Sequence, residues 1–382
     1  MQVASDALGL TVSDRDIHAA ACAFAECAVA PHGAAIARDD EMAPEVIGEL
    51  QRAGLFGMNL SDAQGGLALG PIAIGLYHEA LGQASSAVRS ILTVHGMVCE
   101  ALNRWGSAEQ RARWCVSLAH GDAIAAFALT EDGAGSDVTA IGAAAVDGGS
   151  YYRLTGRKLW VTGGQLAKVF LVLAKCEGED VALLVERDTP GLDVEPVSAM
   201  LGLRGAMLGN LNFRDCAVPR SQRIGATGLT VGGVIATALD FGRYTVAWGA
   251  VGIGRACLEQ SMDYAETRSQ GGKLLRDHQL VSALLADMIV GVRAASLLCL
   301  HAGRLRETKD PQALWETAAA KYFAASMAAA VASSAVQIFG ARGCSSDHPA
   351  QRHYRDAKIL EIIEGSTQIQ QQLVTRLRYA SL

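Results

Sequence analysis

Residues 354–371 read YRDAKILEIIEGSTQIQQ. Within them Glu364 follows Ile362 and Ile363 and precedes Gly365. A carboxylate flanked by Ile and Gly is poorly solvated, so its pKa is expected to rise toward the working pH. That is the tuning a general base needs. Gly365 lets a ligand approach the backbone closely. Ser366, Thr367 and Gln368 then offer hydroxyl and amide groups to a polar ligand. The plainer alternative is a helix N-terminus capped by Ser or Thr, with Glu364 an ordinary surface acid.

The chain has 382 residues, more than one ordinary core holds, which implies two or three packed subdomains. Half of the residues are hydrophobic, at 50%, and Ala is abundant, which suits close-packed helices. A net charge of −6 gives no global attraction to nucleic acid or anionic lipid. The N-terminus lacks a basic region followed by an apolar run, so no signal peptide is expected. No segment holds about 18 uninterrupted apolar residues, so no membrane span is expected. The 9 cysteines are scattered without a CxxC pair, which reads as reduced thiols in a cytoplasmic protein. The 9 histidines are equally dispersed, with no HExxH, so no metal centre is expected.

Hydrophobic periodicity divides the chain into three. Residues 14–29, 44–53, 72–81, 86–101 and 108–118 read as helices. Residues 124–219 alternate between apolar and polar, with strands at 151–154, 158–162, 169–176, 181–186 and 211–213. Asp147-Gly148-Gly149 and Asp188-Thr189-Pro190-Gly191 read as turns between them. Helical period returns at 234–268 and 277–305, the latter with Leu280, Leu284, Met288 and Val292 on one face. A third helix starts at an Asp310 N-cap with Pro311 in its first turn and stops at Gly340. The last runs from Ile363 to Tyr379.

Two further stretches offer ligand contacts. Residues 127–137, FALTEDGAGSD, place small residues where backbone N–H groups can face a ligand, with Thr130 and Ser136 adding hydroxyls. In isolation this is also an ordinary Gly-rich turn. In residues 156–162, GRKLWVT, period two puts Lys158, Trp160 and Thr162 on one strand face. An indole and a hydroxyl there could hold a planar heteroaromatic ring, or the Trp could be core. No GxGxxG follows a strand, so a dinucleotide would not be held in the Rossmann manner.

Taken together, Tyr354 to Lys358, Ile362 to Gly365 and Gln368 to Gln370 resemble the C-terminal signature of the acyl-CoA dehydrogenases. In that family the Glu before Gly removes the α-proton of an acyl thioester. The resemblance therefore gives Glu364 the base role, Gly365 a substrate contact, and Ser366 and Gln368 contacts to FAD. The chain reads EGST where the commoner order is EGTS. Residues 127–137 resemble the flavin-contact segment nearly residue for residue. They imply FAD contacts at Phe127, Leu129, Thr130, Gly135 and Ser136, the last also touching the acyl carrier arm. Asp132 stands where the family usually has Pro. Trp160 and Thr162 match residues at the isoalloxazine, and Gly163 replaces the usual Asn. Arg268 matches the Arg at the flavin pyrophosphate, although Gly271 replaces a neighbouring Phe. His278, Gln279, Gln337, Gly340 and Ala341 match later FAD contacts. Some of these reach a neighbouring subunit's flavin in the family, which implies a homodimer or homotetramer.

Asp240 and Arg243 match the segment near the thioester. Some members carry the base at the position of Gly242, which cannot act as one. Arg89 and Ser90 resemble the glutaryl-CoA dehydrogenase branch, where the Arg binds a distal carboxylate, a partner suited to guanidinium. The same features occur in enzymes that make hydroxymalonyl- or methoxymalonyl-carrier-protein extender units for polyketides. The implied fold is α+β, with an N-terminal helical domain at 1–122, a middle antiparallel β domain at 123–226 and a C-terminal four-helix bundle at 227–382.

The implied reaction is α-proton removal by Glu364 with hydride transfer from the β-carbon to flavin N5. The Glu364 N–H and a flavin ribityl hydroxyl would polarise the thioester carbonyl. The expected substrate is a short polar acyl group on an acyl carrier protein, in extender-unit biosynthesis. The alternatives are a glutaryl-CoA or short-chain acyl-CoA substrate, and a flavin oxidase or monooxygenase on the same fold, whose members tend to lack the base. A non-catalytic helical binding protein is the reading outside enzymes. Electron-transfer flavoprotein or another acceptor would take the electrons, and no nucleic acid or membrane partner is expected.

Overall fold

The computed structural model describes residues 9–380. Helices α1 (Val12–Phe24), α2 (Ala30–Asp39), α3 (Pro44–Arg52), α4 (Pro71–Ala84), α5 (Ser86–Trp105) and α6 (Ala108–Ala119) come first. Eight strands follow: β1 (Ala125–Ala128), β2 (Ala144–Asp147), β3 (Tyr151–Val161), β4 (Val169–Cys176), β5 (Glu179–Glu186), β6 (Leu192–Pro196), β7 (Gly209–Pro219) and β8 (Arg223–Ile224). The long α7 (Ala236–Thr267) leads into a small hairpin of β9 (Ser269–Gln270) and β10 (Lys273–Leu274). Then come α8 (Gln279–Glu307), α9 (Ala313–Phe339), α10 (Pro349–Leu360) and α11 (Thr367–Ala380).

The order of helices, strands and helices is as expected, and the middle strands form one sheet in the order β6-β7-β3-β2-β4-β5-β8. Two expectations for that sheet need correcting. It is mixed rather than antiparallel, because β1 and β2 both run parallel to β4. The two short strands at 151–154 and 158–162 are one strand, β3, interrupted by bulges against β7. The apolar run of β4 is buried along nearly its whole length, as befits a central strand covered on both faces.

The C-terminal helices differ from expectation at one decisive point. The last helix does not run through Glu364. Residues 361–366 form a turn between α10 and α11, and Ser366 Oγ accepts from Ile369 N at the start of α11. On α8, Met288 and Val292 are buried, whereas Leu280 is 84% exposed. The expectation that no segment could span a membrane also needs correcting. By length and composition three helical stretches are long and apolar enough: Val12–Asp39, Gln279–Glu307 and Ala313–Cys344.

Packing does not respect the three sequence segments. Ile72 and Leu76 of α4 join the core of α7, α8 and α9, while Val234 to Phe241 join the core shared by the N-terminal helices and one sheet face. Helices α4 and α7 come together through glycine. A Cβ on Gly252 would lie 2.1 Å from Glu79 O, one on Gly82 2.5 Å from Gly249 O, and one on Gly75 2.3 Å from the Trp248 ring. Glycine in a helix interior costs about 1 kcal/mol relative to Ala, so these positions are retained for contact, not for helix formation. Gly252→Ala is therefore expected to destabilise the protein by about 2 kcal/mol, because backbone cannot yield as a side chain can. Gly232→Ala, which meets nothing within 4 Å, is the control expected to leave the melting temperature nearly unchanged.

Candidate active site

The turn after α10 places Glu364 in the left-handed region, with φ 55°, followed by Gly365 at φ 91°. The residue as a whole is half-buried, but its carboxyl Oε2 is enclosed and has no hydrogen-bond partner. Enclosure comes from tertiary contacts rather than from both flanking isoleucines, since Ile362 is 55% exposed. Across the turn lies Gly242 of α7. A Cβ there would stand 2.6 Å from Glu364 Oε2 and 2.9 Å from the Met97 sulfur of α5. Burial pushes the Glu364 carboxyl up to about 7, against the opposing pull of Arg243, Lys321 and Arg89. The Glu364 N–H makes no backbone hydrogen bond among the described residues.

Side chains from three helices hold the turn by its carbonyls. Arg243 Nε donates to Glu364 O at 3.2 Å, and Lys321 Nζ donates to Gly365 O at 2.8 Å. Gln370 Nε2 donates to both, at 3.0 and 3.1 Å. Arg89 adds a second layer. It is 0% exposed, its Nη1 donates to Thr93 Oγ1 at 2.8 Å and its Nη2 to Ser90 Oγ at 2.7 Å. Its Nε has no partner. Thr93 in turn meets Thr245 at 3.1 Å, and Thr245 donates to the carbonyls of Phe241 and Gly242. Burial lowers the Arg89 guanidinium to about 10, so it remains charged. None of Arg89, Arg243 and Lys321 has a carboxylate at ion-pair distance among the described residues. Asp240 is the exception in this region. It was expected at the substrate, yet its carboxylate is bound by Arg306 Nη2 at 2.6 Å.

The other wall is the 127–137 segment with β3. Phe127 ends buried in β1, and Leu129 and Thr130 are half-buried. Residues 129–131 are latched to β3, with Leu159 N donating to Thr130 O, Lys158 Nζ to Leu129 O at 3.0 Å, and Lys158 paired with Glu131 at 2.7 Å. Here the period-two reading fails. Lys158 is wholly buried, whereas Trp160 is 51% exposed. A bulge between Lys158 and Val161 gives Trp160 a φ of 52° and turns it to the opposite face. Thr162 is half-buried. Gly133 and Gly135 border open space, Gly135 and Ser136 are exposed, and neither Thr130 nor Thr162 spends its hydroxyl on another described residue. An outward indole, two free hydroxyls and bare backbone fit a planar heteroaromatic ring with polar edges.

The remaining expected contacts lie elsewhere. Arg268 caps the C-terminal end of α7, the 32-residue helix that carries Arg243 near its start. That helix is about 48 Å long at ~1.5 Å per residue. His278, whose Nε2 meets Gln270 O at 3.0 Å, and exposed Gln279 begin α8 at the same far end. Exposed Gln337, Gly340 and Ala341 end α9 there, tied in by Tyr264 of α7 stacked on Phe339 at 4.7 Å. Ser366 serves as a helix cap and Gln368 is exposed. Sequence reading missed Lys321, Gln370, Thr93 and Thr245. A lone Lys inside the Ala-rich run of α9 was the available signal for the first. Gln370 lies within the C-terminal signature without a role of its own there, and Thr93 and Thr245 become visible only through contact.

Comparison with known proteins identifies the family. The acyl-CoA dehydrogenase N-terminal, middle and C-terminal domain profiles match residues 11–122, 126–216 and 232–377. The mouse mitochondrial short-chain specific acyl-CoA dehydrogenase is 32% identical over 357 residues, covering 92% of this chain and 86% of that protein. A glutaryl-CoA dehydrogenase from Mycobacterium smegmatis, solved with FADH2, superposes with a TM-score of 0.93 at 28% identity, covering 98% of this chain and 96% of that one. FkbI, solved for biosynthesis of the methoxymalonyl extender unit of a polyketide, gives a TM-score of 0.86 at 32% identity over 95% and 99% of the two chains. The chain belongs to the acyl-CoA dehydrogenase family, FAD-dependent oxidoreductases that act on CH–CH donors.

Proposed function

We propose that this protein dehydrogenates a short acyl thioester whose distal end is anionic or strongly polar, carried on an acyl carrier protein. The observation that carries the reading is Arg89: fully buried, without a carboxylate partner, and joined by a relay of hydroxyls to the carbonyl of Gly242, the α7 residue that faces the Glu364 carboxyl. An unpaired buried cation costs several kcal/mol unless a ligand supplies the missing charge or hydrogen bonds. Three cations around one carboxylate leave the site with a surplus of positive charge, which favours an anionic guest. Similarity to FkbI, solved for biosynthesis of a methoxymalonyl extender unit, supports a short polar acyl group of the extender-unit kind. Similarity to the mouse short-chain enzyme supports a second reading, a short acyl-CoA substrate.

In this reading Glu364 takes the α-proton. The free Glu364 N–H is placed to polarise the thioester carbonyl, and Gly242 leaves the carboxylate the room it needs. FAD, held by Thr130, Trp160 and Thr162 with the 133–136 backbone, supplies the acceptor for the β-hydride when bound. The far-end set of Arg268, His278, Gln279, Gln337, Gly340 and Ala341 stands too distant along α7 to share one flavin with Arg243, which supports a homo-oligomer in which it serves a neighbouring chain's FAD. The exposed apolar side chains Leu280, Ile289, Val290 and Leu297 of α8 support the same assembly. An electron-transfer flavoprotein is the proposed acceptor.

Glu364→Gln is expected to retain FAD and lose turnover by at least about a thousandfold; activity near wild type would remove Glu364 from the mechanism. Because the base must be ionised, kcat/KM should rise with pH through about 7 and then level. The same raised pKa makes a stability forecast. Stability from the protonated carboxyl is present below the unfolded pKa near 4.5 and is lost as pH rises through about 7, a change of roughly 3 kcal/mol. Apo Glu364→Gln should therefore melt well above wild type at pH 8 and close to it at pH 4. Arg89→Ala should cost polar or carboxylate-ended thioesters about a hundredfold in kcat/KM and butyryl thioesters much less. Equal losses on both classes would reject the distal contact. Assaying matched CoA and carrier-protein thioesters separates the two substrate forms.

A further inference from the structure

Lys321 stands in the Ala-rich middle of α9, 0% exposed, with its Nζ 2.8 Å from Gly365 O. No carboxylate lies at ion-pair distance from it among the described residues. A buried ammonium left with one carbonyl costs several kcal/mol in desolvation, so its retention calls for a compensating role. The turn that it touches is itself unfavourable, because Glu364 occupies a left-handed conformation that costs a residue with a Cβ about 1 kcal/mol or more. Arg243 and Gln370 hold the Glu364 carbonyl, and Lys321 is the charged donor on the Gly365 carbonyl. The charged groups facing Glu364 are Arg243 from α7, Lys321 from α9 and Arg89 from α5; Lys321 also faces Arg243 and Glu361.

We infer that Lys321 is the positioning residue of the base: its ammonium fastens the Gly365 carbonyl, holds the left-handed turn that aims Glu364 over Gly242, and favours the ionised carboxylate. This rests on the reading of Glu364 as the base. Two roles are combined in one group, and they separate chemically. The hydrogen bond sets orientation and needs only a donor. The charge sets ionisation and is lost when the lysine titrates. Burial brings Lys321 down to about 8, just above Glu364 at about 7. Below about 8 the wild-type lysine is charged and assists ionisation of its neighbour. Above it the lysine is neutral, and a variant without the charge should behave increasingly like wild type.

The test compares kcat/KM against pH for FAD-loaded wild type, Lys321→Met, Lys321→Gln and Lys321→Arg with a short-chain acyl-CoA. Lys321→Met should lose roughly tenfold or more at pH 6.5 through a displaced acid limb, beyond any pH-independent loss from misplacement of the turn. Lys321→Gln keeps a donor for the Gly365 carbonyl. It should recover activity at pH 9 to within about threefold of wild type while retaining the displaced limb. Lys321→Arg, which keeps the charge, should keep the wild-type limb.

Difference infrared spectra of apo-protein against Glu364→Gln provide a readout that needs no turnover. Titration of the Glu364 carboxyl should move to higher pH in the Met and Gln variants and not in the Arg variant. Superimposable acid limbs and carboxyl titrations in wild type and Lys321→Gln would overturn the inference. If Glu364→Gln itself keeps full activity, it is the base assignment that fails. An inactive Glu364→Gln with unmoved Lys321 profiles overturns the positioning role alone.

Discussion

One carboxylate enclosed with no hydrogen-bond partner for its Oε2 is the constraint on which the site depends. Glu364 is pushed to a near-neutral pKa because it sits under α7 without a carboxylate-to-cation contact, while three cations remain near enough to keep ionisation accessible. Closer pairing would depress the pKa and weaken the base; full isolation would leave it protonated. The turn meets this compromise through its backbone. Arg243, Lys321 and Gln370 bind carbonyl oxygens and not the carboxylate, so orientation is fixed while the reactive oxygens stay free.

That arrangement is possible only because α7 lacks side chains at chosen points. Gly242 makes room for the base, and Gly249, seven residues on, makes room for the Arg89 side chain, whose Cδ would be 2.2 Å from a Cβ there. Gly252 admits the backbone of α4. These three residues lie within about three turns of one helix, so α7 acts as a spine against which the base, the distal guanidinium and the N-terminal helices are all indexed. The cores follow the same logic, since α4 shares its apolar face with α7 and not only with its own segment.

The ring-binding wall is set by a separate device. Lys158, expected to share a face with Trp160, is buried and clamped to Glu131 and Leu129 O, which ties the 127–137 loop to the sheet. The bulge that follows releases Trp160 outward. A buried ion pair adds little net stability, but this one fastens residues 129–131 to β3. The loop glycines are thereby held as exposed backbone at a defined place, although Asp132 removes the rigidity a proline would give.

Much was legible in the sequence. Periodicity gave helices, then strands, then helices, and the runs around Glu364, Thr130 and Trp160 carried the family resemblance that pointed to a thioester base opposite a flavin. Glu364 was singled out for its apolar neighbours, yet Ile362 is largely exposed and the desolvation comes from α5 and α7, far away in the chain. A one-residue bulge is invisible to a period-two count, so Lys158 was placed on the wrong face of β3. Asp240 read as a substrate contact until Arg306, 66 residues on, was found holding it. Lys321 read as one position in the helix from Asp310 to Gly340 until the fold brought Gly365 to its Nζ. Composition and local pattern by themselves determined which elements form and which chemical groups are available. Only the tertiary structure decided which charges are desolvated, which are paired and which face an open site, because those depend on groups brought together from distant parts of the chain.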